Sequence, residues 1–316
     1  MGEALITDGG SGIEAALAQL AAGGAAAAEA IAGIDEAAAR GDPAALERSA
    51  LFAAVGCDRP QSWQRAFDLL AQAADGGSEC AKGQLQALAG TAATGDWPLL
   101  REKIDTARLL SVPDKQVLSD SPRLRVMKGF ATAAECDWLI HRARGRLQPA
   151  TVVDRRGSLS IESARSNRAV EFQFADMDVV VELLRARTAA ATRLPLPLFE
   201  PSQVLNYAPG EEFRPHYDYF DPANAGHAEQ LRFGQRIATF LVYLNDDYAG
   251  GETAFPRASI DYRGETGDGL FIANVDRSGR PDPMTLHAGL PPTAGQKWLF
   301  SQWIRDRAPV APRSGA

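Results

Sequence analysis

The sequence predicts an α+β protein: an N-terminal α-helical repeat domain followed by a β-sandwich or barrel with supporting helices. Three observations carry this expectation. Residues 1–108 are rich in Ala, Leu, Glu and Gly, with apolar residues at helical spacing. From about residue 123 the chain turns to Val, Ile, Phe and Tyr runs broken by Gly and Pro. Between them, "LLSVPDKQVLSDSP" at 109–122 is polar and carries two prolines, the composition of a linker. The expected organisation is a helical domain at 1–108, a linker at 109–122 and a second domain at 123–316.

Bulk composition agrees. The chain has 316 residues, 45% of them hydrophobic, which is enough for two buried cores. Its 23% charged residues are normal for a globular protein. A net charge of −7 without a long Lys/Arg run points away from nucleic acid and anionic membranes. The start, "MGEALITDGGSGIEAALAQL", lacks the basic residues and continuous apolar core of a secretory signal. No stretch reaches the roughly 18 apolar residues of a membrane span. Three sparse cysteines, Cys57, Cys80 and Cys136, read as buried small hydrophobes in a reducing compartment. A cytoplasmic protein is expected.

The helical half contains an internal echo. "AAARGDPAA" at 37–45 aligns with "AADGGSECA" at 73–81, so that Ala37, Ala38, Gly41 and Ala45 recur as Ala73, Ala74, Gly77 and Ala81. Small residues there let antiparallel helices approach closely, and the glycine ends one helix. "AATGDWPLL" at 92–100 reads as a degraded third unit. The pattern resembles the Sel-like branch of the tetratricopeptide repeats, which stack helix pairs into a binding surface. That resemblance implies recruitment of a partner protein; an alanine-rich bundle without a binding role is the alternative.

The second half opens with a strand in "RLRVMKGF". A helix follows in "TAAECDWLIHRAR", where Thr132 and Glu135 have capping-box spacing. "ADMDVVVELLRARTAAAT" is a further helix. Strands are expected in "SQVLNY", "RIATFLVYLN", "DGLFIAN" and "KWLFSQWI", separated by turns such as "NDDYAGG". Helices first and many short strands after them suggest helices laid on one face of a sandwich or barrel.

"RPHYDYF" places Asp218 two residues after His216, a spacing that turns both side chains to one face of an extended segment. His287, in "MTLHAGLPPTAGQKW", is the candidate third ligand. Two histidines and one carboxylate leave three coordination positions open, which suits non-haem Fe(II); zinc is the competing metal. Lys297 lies on the next strand among Trp298, Leu299 and Phe300, where an ammonium that is buried requires an anion; a surface-facing lysine is the alternative. Tyr207 and Tyr243 are candidate hydroxyl donors to that anion, or core aromatics. His227 reads as a loop histidine, His141 as a structural or surface residue of a helix, and Trp298 as core.

In order, "QVLNYAPGEEFRPHYDYF", "GQRIATFLVYLNDDYAGGETAFP", "GDGLFIAN" and "LHAGLPPTAGQKWLFSQWIRD" resemble the iron- and 2-oxoglutarate-dependent prolyl 4-hydroxylases. "MKGFATAAECDWLI" is similar to that family's N-terminal strand and helix. The resemblance spans about 123–307. It implies a double-stranded β-helix, or jelly-roll, with Fe(II) on His216, Asp218 and His287. It further implies 2-oxoglutarate paired through its far carboxylate with Lys297, helped by Tyr243 and Tyr207. Ser301 and Trp303 would line or back the pocket. With O2 as co-substrate, 2-oxoglutarate would be decarboxylated to succinate and CO2 while an unactivated C–H bond is hydroxylated, with ascorbate as the reductant that rescues idle iron.

In this family the region of 151–172 covers the substrate, and Arg165 in "ARSN" is the nearest match to a recurring arginine. "DPANAGHAEQLRFG" is a candidate second lid. The chain departs from better-known members in lacking a secretory signal and a cysteine framework, which argues against collagen-type substrates. The leading expectation is hydroxylation of a prolyl residue in a protein or peptide, recruited by the repeats. The alternatives are a hydroxylase of a free amino acid or other small metabolite, and a repeat scaffold with an inactive oxygenase domain.

Overall fold

The computed structural model describes residues 16, 24–91, 95–150, 152–153, 159–160 and 165–308. They form two compact units, one of residues 1–111 with 173–187, the other of 112–172 with 188–316.

The first unit is helical: α1 (Gly24–Ala39), α2 (Pro43–Val55), α3 (Trp63–Asp75), α4 (Glu79–Ala89), α5 (Trp97–Glu102) and α6 (Thr106–Leu110). Successive helices pack on one another through alanines. Ala45, Ala50, Ala66, Ala73 and Ala81 are wholly buried, so no side-chain bulk separates the helix backbones. The sequence echo is a repeated turn. Gly41 and Gly77 both adopt positive φ, +88° and +99°, and the next residue caps the next helix. Asp42 accepts from the Ala45 amide at 2.9 Å and Ser78 from the Ala81 amide at 3.0 Å. Gly95 (φ +99°) and Asp96, which caps Leu99, repeat the device before α5; the start of that stretch, 92–94, lies outside the described residues.

The helix expected after residue 175 is α8, Val179–Thr192, following α7 (Ala133–Ala143). Its first turns belong to the helical unit. The Val179 amide donates to Gln84 Oε1 (2.9 Å), and Arg187 Nε donates to the Leu109 carbonyl (2.6 Å). Sequence order alone put this helix with the strands. Cys136 is buried, but Cys57 and Cys80 are half-buried, and none of the three is in a disulfide.

The second unit is built from short antiparallel strands: β1 (Gln116–Asp120), β2 (Arg123–Met127), β3 (Gln148–Pro149), β4 (Val152–Val153), β5 (Leu159–Ser160), β6 (Arg168–Phe172), β7 (Ser202–Tyr207), β8 (Phe213–His216), β9 (Arg236–Tyr243), β10 (Ala249–Gly250), β11 (Thr253–Phe255), β12 (Ile260–Tyr262), β13 (Gly269–Ala273), β14 (His287–Gly289), β15 (Pro292–Ala294) and β16 (Lys297–Arg305). An eight-stranded sheet runs β1-β2-β13-β9-β16-β7-β6-β3, and a four-stranded sheet runs β12-β11-β14-β8. β10 with β15 and β4 with β5 make small ribbons. Residues 116–120, within the stretch read as a linker, form the edge strand β1.

Helix α7 has the full capping box: Thr132 accepts from the Glu135 amide and Glu135 accepts from the Thr132 amide. Alternation decides the core of this unit. Register pairs Lys297 with Tyr207, Leu299 with Leu205 and Tyr243, Ser301 with Leu241, and Trp303 with Thr239. These residues therefore share one face of the larger sheet. Leu205, Leu241 and Leu299 of that face cluster with Phe255 of the smaller sheet, so the two sheets enclose a common core. The opposite face carries Phe240, which packs 4.7 Å from Phe130, together with Val204, Val242, Trp298 and Phe300. No helix among the described residues is long and apolar enough to cross a membrane.

Candidate metal and co-substrate site

The smaller sheet brings the two distant histidines together. β8 and β14 are antiparallel neighbours in which His216 and His287 are directly opposed. Their rings lie 4.3 Å apart between centroids. Asp218 follows just beyond the end of β8. Its Oδ1 is 3.7 Å from His216 Nε2 and its Oδ2 is 3.6 Å from His287 Nε2. One donor atom from each of the three residues lies within 4.8 Å of the others.

Backbone carbonyls set the tautomers. His216 Nδ1 donates to the Arg214 carbonyl at 2.8 Å, and His287 Nδ1 donates to the Thr285 carbonyl at 2.9 Å. Each imidazole thus carries its proton away from Asp218 and turns the Nε2 lone pair toward it. Burial, reinforced by His287, presses the His216 pKa down to about 3. Burial opposes ionisation of Asp218, but the two histidines and the Thr239 hydroxyl outweigh it and hold the carboxyl below its usual range. Two neutral imidazoles and a carboxylate form a donor set that fits a divalent transition metal and leaves coordination positions open.

A cavity beside this triad is lined by Arg165, Tyr207, Phe213, Thr253, Lys297, Ser301 and Trp303 among others. Lys297 is fully buried and gives one hydrogen bond, to the Gly251 carbonyl at 2.7 Å. No carboxylate pairs with it among the described residues. Burial, partly offset by Glu252, pulls its pKa down to about 7. A buried cation with one neutral acceptor fits an incoming carboxylate. Tyr207 is buried beside it, and its hydroxyl makes no hydrogen bond among the described residues; burial raises its pKa to about 12.

Tyr243 is set differently. Its hydroxyl bonds Thr253 Oγ1 at 2.7 Å and reaches the Tyr262 carbonyl at 3.4 Å. Thr253, not Tyr243, lines the cavity, and Tyr243 stands one layer behind. Ser301 is buried on the cavity face of β16. Trp303 is held by the Arg236 guanidinium, 3.7 Å above its ring. Glu200 fixes that guanidinium through two 2.7 Å hydrogen bonds.

Arg165 is buried and bridges to Phe213, its guanidinium 4.6 Å from that ring. Phe213 in turn stacks on His216 at 3.4 Å. Of the expected substrate cover at 151–172, residues 151, 154–158 and 161–164 lie outside the described residues. His227 is occupied in its own loop, accepting from the Asp221 amide at 2.8 Å, and His141 is exposed on α7. The residues missed by sequence reasoning are Thr239, which donates to Asp218 Oδ2 at 2.5 Å, and Asn274, whose Nδ2 donates to Thr239 Oγ1 at 3.0 Å. The signal for Thr239 was present: it is a polar residue on the inward face of an otherwise apolar strand, "RIATFLVY".

Residues 202–305 match the family model described as the 2OG-Fe(II) oxygenase superfamily. The chain is 33% identical over 208 residues to Prolyl 4-hydroxylase 1 of Arabidopsis thaliana, covering 61% of this chain and 72% of that protein. It is 35% identical over 209 residues to Prolyl 4-hydroxylase 5 of the same plant, covering 60% and 70%. Among solved structures it is similar to the viral collagen prolyl hydroxylase of Paramecium Bursaria Chlorella virus-1, with 28% identity, 60% and 98% coverage and a TM-score of 0.45.

Proposed function

Because the chain belongs to the prolyl 4-hydroxylase family of 2-oxoglutarate-dependent dioxygenases, we propose that it hydroxylates a prolyl residue in a protein or peptide, using Fe(II) on His216, Asp218 and His287 and 2-oxoglutarate anchored on Lys297. The observation that carries this reading is the convergence of two cross-strand histidines, both with Nε2 turned on Asp218, next to a buried lysine that lacks a carboxylate partner.

Each residue's part follows from its surroundings. His216 and His287 supply neutral nitrogen donors held in place by backbone carbonyls. Asp218 supplies the negative charge that offsets a dication. Lys297 would pair with the far carboxylate of 2-oxoglutarate, with the Tyr207 hydroxyl as a further donor and Tyr243 acting through Thr253. Leu205, Leu241 and Leu299 keep the cavity wall apolar, which excludes water and strengthens that ion pair. Ser301 lines the same wall, while Arg165 and Trp303 are proposed substrate contacts. Bound Fe(II) supplies O2 activation, the chemistry that couples C–H hydroxylation to decarboxylation of 2-oxoglutarate into succinate and CO2.

The facing sheets support a double-stranded β-helix for this unit, and the recurring Gly-cap turns support Sel-like repeats that recruit the protein substrate. Three cysteines outside any disulfide support a cytoplasmic location. Ascorbate as reductant rests on the family alone.

The test is turnover with Fe(II), 2-oxoglutarate and proline-rich peptides. Succinate is measured by NMR and peptide mass by mass spectrometry. A gain of one oxygen on proline, lost in His216→Ala, is expected. Succinate release stimulated by a free amino acid and not by any peptide would move the substrate to a small metabolite.

A further inference from the structure

The hydroxyl of Thr239 makes a decision about Asp218 that the ligand triad leaves open. Asn274 Nδ2 donates to Thr239 Oγ1 at 3.0 Å, and Thr239 Oγ1 lies 2.5 Å from Asp218 Oδ2. A hydroxyl has one hydrogen. With one lone pair facing the Asn274 side-chain N–H and an ionised carboxylate on its other side, that hydrogen goes to Oδ2. Asp218 Oδ1 makes no hydrogen bond among the described residues.

Both members of the relay are buried. Thr239 is 1% exposed and Asn274 fully buried. Thr239 sits in mid-sheet, opposed by Ile272 on one side and Trp303 on the other. The Asn274 backbone N–H donates to the Ile237 carbonyl at 2.9 Å and its backbone carbonyl accepts from the Asp282 N–H at 3.0 Å, which fixes the main chain that carries the side-chain amide. The side-chain Oδ1 is buried without a partner among the described residues, so the bond to Thr239 is what orients that amide. Neither residue can rotate away without losing a buried hydrogen bond.

We propose that Thr239, oriented by Asn274, is a positioning residue that engages Asp218 Oδ2 with its one hydrogen and so favours presentation of the carboxylate to the metal through Oδ1. This rests on the metal-site reading above. Without the hydroxyl, the carboxylate is free to rotate and to offer both oxygens, which spends a coordination position that the co-substrate or O2 requires. Partners behind a ligand of this kind typically account for about 10- to 100-fold in metal affinity or activity.

The test uses the full chain with Co(II) as a spectroscopic probe under anaerobic conditions. Affinity is read by calorimetry, coordination number by the intensity of the visible Co(II) bands, and integrity by the melting temperature of the metal-free protein. Thr239→Val removes the hydroxyl with little change of shape. It is expected to weaken Co(II) binding about tenfold or more and to weaken the visible bands as a second carboxylate oxygen coordinates. Thr239→Ser keeps the hydroxyl and is expected to restore both. Asn274→Ala removes only the orienting donor and is expected to fall between wild type and Thr239→Val, which gives an independent reading should the valine variant fold poorly. Wild-type spectrum and affinity in Thr239→Val would overturn the positioning role while leaving the metal site standing. Equal losses in Thr239→Val and Thr239→Ser would overturn it as well, since packing and not the hydroxyl would be responsible. A wild-type protein that binds no Co(II) or Fe(II) would overturn this inference together with the metal site.

Discussion

Lys297 and Tyr207 are directly opposed residues of the β16–β7 ladder, and the lysine ammonium lies 5.3 Å from the centre of the tyrosine ring. The pair points a buried positive charge and a phenol hydroxyl without a hydrogen bond among the described residues into one cavity. Its behaviour with pH follows.

Affinity for 2-oxoglutarate should fall as pH rises through about 7, because burial brings Lys297 to that value and only the protonated ammonium pairs with a carboxylate. The loss is up to about tenfold per pH unit. The sign for stability is opposite. Between about 7 and the ordinary lysine range the unfolded chain holds a proton that the folded chain has released, so the ligand-free fold gains stability as pH rises. Calorimetric titration with 2-oxoglutarate across this range, in wild type and Lys297→Arg, is the check. The arginine variant should show a flat profile; an equally flat wild-type profile would mean that Lys297 keeps its proton through this range, and unchanged affinity in Lys297→Ala would remove it from the co-substrate site.

Loss of any one of the three proposed metal ligands should end turnover. His216→Ala, Asp218→Ala and His287→Ala are each expected to lower Fe(II)-dependent succinate formation by at least about 100-fold. Chelation should silence the wild type and added Fe(II) restore it. In the metal-free protein, folded His216 resists protonation down to about 3, whereas the unfolded chain takes up that proton near the ordinary histidine value. The His216 contribution therefore lowers stability as pH falls from about 6.5 toward 3, read as a declining melting temperature.

The two tyrosines should separate. Tyr207→Phe removes a hydroxyl with no partner among the described residues and should weaken 2-oxoglutarate about fivefold with little change in melting temperature, the effect of one hydrogen bond of about 1 kcal/mol. Tyr243→Phe strands the buried Thr253 hydroxyl and should instead cost about 1 kcal/mol of stability, with co-substrate affinity changed by less than about twofold. Equal effects of both substitutions on affinity would place the two hydroxyls in the same role.

In the helical unit, Asp42→Ala and Ser78→Ala should each cost about 1 kcal/mol, the usual worth of an N-cap. Gly41→Ala and Gly77→Ala should cost about 1–2 kcal/mol each, because both positions have positive φ. Denaturant midpoints of the four variants provide the check. A negligible effect at Gly77 would mean that the turn relaxes and the echo is incidental.

Much of this protein is determined locally and is therefore legible in its sequence. The capping box at Thr132 and Glu135, the helix-ending glycines at 41 and 77, and the alternation of "KWLFSQWI" are each set by a residue and its neighbours within one turn or one pleat. The period-two rule alone puts Lys297, Ser301 and Trp303 on one face. It also brings Asp218 to the side of His216. What the sequence could not contain is register. That His216 opposes His287, that Thr239 opposes Trp303 and reaches Asp218, and that Tyr243 stands behind Thr253 all depend on which strands become neighbours. Pairing between segments far apart in the chain is decided by the closing of two sheets around a shared core. Asn274 illustrates the limit. In sequence it is one asparagine at the end of an apolar strand, and it acquires a role only because the β13–β9 ladder aims its amide at a threonine on the neighbouring strand. The first turns of α8 likewise join the helical unit through Gln84 and Leu109, contacts that lie far outside any local window.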